Sequence, residues 1–175
     1  MRSMMAFGLA AVMMAAGCVR VAAQEEGVRL LDAEATRRFL PDKVPMESEL
    51  IPVDSRNASA LQFSNKSRVA FAALSTSGLS ADYQKKYQYV FVSEMRIKLD
   101  RWNLPAGMVG VSLEPAAPDA PFRTLIGRDF SGSEIDRIQL KLDPEGKDGG
   151  VAFVVTGPSA FQLRIGKYVA EGTAR

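Results

Sequence analysis

The feature that most constrains this chain is a set of segments in which apolar and polar residues alternate with a period of two. Met95, Ile97 and Leu99 alternate with Arg96, Lys98 and Asp100, and Val109, Val111 and Leu113 with Gly110, Ser112 and Glu114. Ile138, Leu140 and Leu142 alternate with Arg137, Gln139 and Lys141, and Phe161, Leu163 and Ile165 with Gln162 and Arg164. A strand points successive side chains to opposite faces, so these segments predict half-buried antiparallel strands with one dry and one wet face. Met95, Ile97, Leu99, Ile138, Leu140, Phe161, Leu163 and Ile165 are expected to meet in one core. Residues 68–74 and 151–155 are apolar on both faces, which predicts central strands.

The separators carry turn chemistry. Ser64-Asn65-Lys66-Ser67, Ser77-Gly78, Asp100-Arg101-Trp102-Asn103, residues 115–121 and the Gly-rich stretch 143–150 all favour chain reversal. Ahead of the alternating region, Leu31, Ala35 and Phe39 have helical spacing, with Asp32 placed as an N-cap, Arg37 and Arg38 in the last turn and Pro41 as a stop. Residues 41–45 then form a proline-bounded connector. The expected fold is all-β: a single antiparallel β-sandwich or barrel-like domain with one short N-terminal helix.

The N-terminus has a different character. Arg2 precedes an apolar run from Met4 to Gly17, the sole cysteine, Cys18, closes it, and no acidic residue occurs before Glu25. A positive start, a short apolar core and small residues form the layout of an export signal, and the run is shorter than the ~20 residues of a membrane-spanning helix. Ala15-Ala16-Gly17-Cys18 is similar to a bacterial lipobox, which makes Cys18 the expected lipidation site; the rival site, Val21-Ala22-Ala23, would release a soluble protein starting at Gln24. The expected organisation is a signal at 1–17 (or 1–23), a tether, short helix and connector at 18–45, and the β-sandwich domain at 46–175.

Composition then excludes several chemistries. Lys plus Arg number 22 and Asp plus Glu 20; loss of Arg2 and Arg20 with the longer leader leaves 20 against 20. A near-neutral chain lacks the clustered positive charge that nucleic-acid binding requires. There is no histidine, hence no imidazole base or imidazole metal ligand. No Gly-x-Ser-x-Gly or Ser-x-x-Lys occurs. About 155 residues remain after processing, enough for one core without disulfides.

The apolar strand Val69-Ala70-Phe71-Ala72-Ala73-Leu74 is followed by Ser-Thr-Ser-Gly, then by Lys86-Tyr87-Gln88 leading into a strand that ends near Glu94. A hairpin at Leu104-Pro105-Ala106-Gly107 and a terminal strand around Gly166-Lys167-Tyr168-Val169 complete the series. In this order of segments, over residues 61–169, the chain resembles small exported bacterial β-sandwich proteins of uncharacterised function that carry lipoprotein-type signals. The resemblance implies fold and export and brings no catalytic residues with it.

Three groups of residues remain as chemical candidates. The acidic loop 143–150 lacks the EF-hand pattern and is expected to be a hairpin loop, with no metal or cofactor. Asp129, Glu134 and Asp136 are the acids that a carboxylate-based hydrolase would use. The aromatic group Tyr83, Tyr87, Tyr89, Phe91 and Trp102 is the third, with Tyr87, Tyr89 and Phe91 on one strand face. Exposed rings there would stack on a glycan or anchor an envelope protein, so Tyr87, Tyr89 and Trp102 are the expected contact residues. The expected role is that of an exported, lipid-anchored cell-envelope protein that binds a partner without transforming it. The alternatives are a small periplasmic hydrolase using carboxylates and a structural component of an envelope assembly, and the alternative location is soluble in the periplasm.

Overall fold

The computed structural model describes residues 27–146 and 149–174; Cys18, both cleavage sites, most of the 19–27 tether, and Lys147 and Asp148 lie outside the described residues. Among the described residues, thirteen strands and two short helices follow one another. They are β1 (Arg29–Leu30), α1 (Ala33–Phe39), β2 (Lys43–Met46), β3 (Glu49–Gln62), β4 (Arg68–Leu74), α2 (Ala81–Lys86), β5 (Tyr89–Ser93) and β6 (Ile97–Leu99). Then come β7 (Trp102–Leu104), β8 (Gly107–Leu113), β9 (Phe122–Arg128), β10 (Glu134–Leu142), β11 (Val151–Val155), β12 (Ala160–Ile165) and β13 (Tyr168–Ala174).

The strands hydrogen-bond antiparallel in the order β1-β3-β4-β5-β8-β9-β10-β13-β12-β11, and the last curls back beside β3 to give a nearly closed barrel. The all-β expectation is met. The alternating segments point inward as the period requires: Ile97, Leu99, Ile138, Leu140, Phe161, Leu163 and Ile165 share one buried cluster, with Met95 packed against it. Phe71, Phe91, Phe153 and Trp102 fill its centre, with Phe91 edge-on to Trp102 at 6.0 Å between centroids and Phe153 edge-on to Phe161 at 5.4 Å.

Closure is made by side chains. The register of β3 on β4 shifts between Asp54 and Ala58, so residues 55–57 leave the ladder. Asn57 there accepts from the Val151 N–H through Oδ1 (3.0 Å), and Ser59 accepts from the Phe153 N–H through Oγ (2.9 Å). Two side-chain acceptors thus stand where backbone carbonyls would complete the barrel.

A second cluster lies on the outer face of β3, β4 and β5. Small residues there (Ala60, Ala70 and Ala72) admit Leu40, Val44, Met46 and Tyr87 from the flanking elements. On β4, Val69 and Phe71 face the barrel interior while Ala70 and Ala72 face outward, which explains its apolar sequence on both faces.

Several expectations need correction. The 41–45 connector contains most of β2, which pairs with β3 from Lys43↔Pro52 to Met46↔Glu49; Pro45 is tolerated because β2 is an edge strand. Residues 28–45 therefore belong to the folded domain. A second helix, α2, is present, capped by Ser80 with Asp82 in its first turn and Lys85 and Lys86 in its last. Trp102 is not a turn residue: Asp100 and Arg101 make the reversal, with Asp100 in the left-handed region at φ 52°, and Trp102 opens β7. β7 and β8 adjoin at Pro105-Ala106 without pairing, so 104–107 is a corner rather than a hairpin. Residues 151–155 form the last strand of the ladder, with Val154 exposed, rather than a central one.

The barrel has two distinct ends. Leu74, Tyr89, Leu113, Phe122, Leu142 and Tyr168 lie at one, where β4, β8 and β10 finish and β5, β9 and β13 begin. The chain enters at the other: β1 pairs Arg29↔Gln62, and the Val28 N–H donates to the Pro158 carbonyl (2.9 Å) in the β11–β12 turn.

Candidate functional site

The aromatic residues separate once the chain is folded. Tyr87 does not share a face with Tyr89 and Phe91. It is the C-cap of α2, with φ −129° and ψ 85°, and this turn of the backbone sends its ring into the outer cluster. There it covers Gly110, where an added Cβ would lie 2.7 Å from Tyr87 Cδ1 and 2.9 Å from Met46 Sδ. The Tyr87 hydroxyl donates to Glu47 Oε1 at 2.9 Å, and burial, followed by that carboxylate, raises its pKa. Lys86 also reaches Glu47 (3.6 Å), and the Tyr83 hydroxyl donates to Glu47 Oε2 at 3.4 Å. These contacts fasten the β2–β3 turn, where Glu47 has φ 53°, onto α2. Trp102 is 2% exposed and inside the barrel. Tyr87 and Trp102 therefore present no stacking surface, and the expected exposed strip over Tyr87, Tyr89 and Trp102 is not formed.

The three acids are locally engaged. Asp129 Oδ1 accepts from the Ser131 N–H (2.9 Å), the Ser133 N–H (3.0 Å) and the Ser131 hydroxyl (2.7 Å), and these bonds, the hydroxyl's foremost, hold its pKa below the ordinary aspartate value. Glu134 takes both arms of the Arg137 guanidinium at 2.8 and 3.0 Å. Asp136 accepts from the Arg137 N–H at 2.8 Å. Asp143, in the acidic loop, is held by Arg164 at 2.8 Å.

Tyr89 is different. Its ring faces into the barrel, stacked on Phe71 at 5.3 Å, but it sits at the end of β5 and is only half-buried. It lines a recess of about 530 Å³ together with Asn57, Gln88, Leu113, Glu114 and Arg123. Arg123 was not singled out by sequence. Its position is fixed by the pleat: Leu125 is in the interior cluster and Gly127 lies under Trp102, so the residue two before Leu125 also points inward, at the rim.

The Arg123 guanidinium lies over the ring of Tyr168, 5.3 Å from its centroid. Tyr168 is itself fixed by its hydroxyl, which donates to the carbonyls of Pro118 (3.1 Å) and Ala120 (3.0 Å) and so ties the 115–121 loop to the rim. Arg123 Nε is buried without a hydrogen-bond partner among the described residues. Burial raises the Tyr89 pKa, and the positive charge of Arg123 works against that rise, so the two groups sense one another. On the far side of Arg123 a second recess of about 390 Å³ opens towards Asp119, Lys167 and Tyr168.

The amides of the main recess have a fixed sense. Gln88 Oε1 accepts from the Leu113 N–H (2.9 Å), and Asn57 Oδ1 accepts from the Val151 N–H. Each oxygen is committed to the backbone, which leaves each NH2 group to donate.

A larger groove, about 970 Å³, lies on the outer surface between α1, the β3 bulge and the β4–α2 connection. Arg56 and Asp54 in its wall already pair at 3.3 Å. The rim recess is the better candidate because it gathers an inward cation, an aromatic hydroxyl and oriented amide donors.

Compared with known proteins, the chain matches no family model, no curated protein and no solved structure. The site therefore stands on its geometry.

Proposed function

We propose that this is an exported, lipid-anchored protein of the bacterial cell envelope whose β-barrel domain binds a partner or small ligand without transforming it. The observation that carries the binding role is the donor-lined recess at the barrel rim. Trp102, Phe71, Phe91 and Phe161 fill the interior behind that recess, so a ligand there would sit at the rim rather than pass through the barrel. Anchoring is supported by Cys18 after Ala15-Ala16-Gly17, and export by the short apolar run behind Arg2.

The anchor is tested by expressing the full chain with its own leader in a bacterial host and taking the mass of the N-terminal peptide from the membrane fraction. A diacylglyceryl group on Cys18 is the expected result; an unmodified N-terminus at Gln24 would make the protein soluble and periplasmic. The binding role is tested on the same material by native mass spectrometry. A small molecule that co-purifies and is released unchanged supports it. Turnover that disappears with alanine at Asp129, Glu134 or Asp136, in a variant that still folds, would identify a hydrolase instead.

A further inference from the structure

We infer that the rim recess binds its ligand through an oxyanion, a carboxylate or phosphate group, for which the Arg123 guanidinium is the counter-ion. This rests on the reading of the domain as a binding module and names the chemistry that the recess selects.

Arg123 is half-buried at the rim, and the part of its guanidinium that leaves water, Nε, is the part that a paired arginine would ordinarily give to a partner. Arg123 has no ion pair or hydrogen bond among the described residues; its one defined contact is the Tyr168 ring, which orients the guanidinium plane without using its N–H donors. The nearby carboxylates are occupied or apart. Glu114 is 3.7 Å from Arg137, Asp143 is bonded to Arg164, and Asp119, on the far side of Arg123, makes no ion pair with it.

The other polar groups of the wall point to the same ligand chemistry. Gln88 and Asn57 each give their oxygen to a backbone N–H and keep an NH2 group to donate, and the Tyr89 hydroxyl has no hydrogen-bond partner among the described residues. Glu114 shares this wall but is drawn to Arg137 at 3.7 Å, and the other polar groups, donors beside a planar guanidinium, match a group rich in acceptors. A carboxylate or phosphate takes such a fork through two parallel N–H···O bonds. The Tyr89 ring, backed by Phe71, offers an apolar surface to whatever carries the oxyanion.

The test titrates the purified full chain with acetate, benzoate, inorganic phosphate and, as neutral controls, benzamide and glucose. Calorimetry reads affinity, and NMR reads the side-chain amides of Gln88 and Asn57. At least one oxyanion is expected to bind, to shift both amides and to weaken with added salt. Arg123→Gln is expected to lower that affinity at least about tenfold, with Arg123→Lys intermediate. Gln88→Glu serves where Arg123→Gln fails to fold: it keeps the acceptor for the Leu113 N–H, removes the donor and adds repulsion, so it too should weaken oxyanion binding. Acetate and benzoate against phosphate separate the two oxyanion sources. Oxyanion binding that ignores both Arg123→Gln and Gln88→Glu would overturn the inference, as would the absence of any oxyanion binding. Glucose or benzamide shifting the same amides while oxyanions do not would leave the binding role standing and this inference refuted. Silence from every probe would count against both.

Discussion

Trp102, the largest side chain in the interior, rests its six-membered ring over Gly127, where an added Cβ would fall inside the van der Waals radii of the ring carbons. The widest residue thus needs the narrowest one opposite it. Gly127→Ala is expected to cost about 1–3 kcal/mol, because the indole is too tightly packed to retreat. Gly157→Ala, where the nearest heavy atom would be 3.4 Å away, should change stability much less. Urea unfolding of the two variants measures the contrast, and equal losses would mean that the indole does have room to move. Asp129 gives a second prediction at this scale. Its folded pKa is depressed, so its contribution is complete above the ordinary aspartate value of 3.8 and is lost as pH falls through the lower folded value. The stability gap between the native chain and Asp129→Asn should therefore be constant at neutral pH and close in acid. Thermal melts across that range check it, and a gap independent of pH would remove the carboxylate from the account.

Among the elements, the seam between β3 and β11 behaves unlike the other strand pairs. Its bonds come from Asn57 and Ser59, side chains in or beside a bulge, and each can swing away without disturbing a neighbouring ladder bond. With both changed to alanine, the Val151 and Phe153 amides should exchange with solvent at least about tenfold faster, while the central β4–β5 amides keep their protection. Hydrogen-exchange NMR reads this directly, and uniform acceleration would mean that the seam opens only with the whole barrel. The seam also marks the limit of what the sequence discloses. Strands with a strict period, such as β8, β10 and β12, were legible because one face is dry and the other wet. β3 was not, since Pro52 and the polar run 54–57 break the pattern where the chain bends and leaves its partner. β2 was masked by Pro45 and α2 by its brevity, although the Ser80 cap and the Lys85-Lys86 end were visible in the sequence. The alternation of Tyr87 with Tyr89 misleads because it crosses the boundary where α2 ends and β5 begins. Arg123 escaped notice because a lone arginine among turn prolines has no sequence signature; only the inward setting of Leu125 and Gly127 reveals its direction.

For the molecule as a whole, the entry of the chain at the barrel end remote from Tyr89 and Arg123 has a geometric consequence. Cys18 lies ten positions before Val28, a span of at most ~35 Å when extended. If Cys18 carries the lipid, the chain that leads from it joins the domain at its foot, the end opposite the rim. Strands of seven residues such as β4 and β8 rise ~23 Å, which is the distance that separates the foot from the rim. Moving the lipid to the opposite terminus would not simply invert this geometry, because β13 also finishes at the foot, at Ala174, with its last residues paired to β6. Both ends of the domain lead towards the same side, and the rim is left free of either.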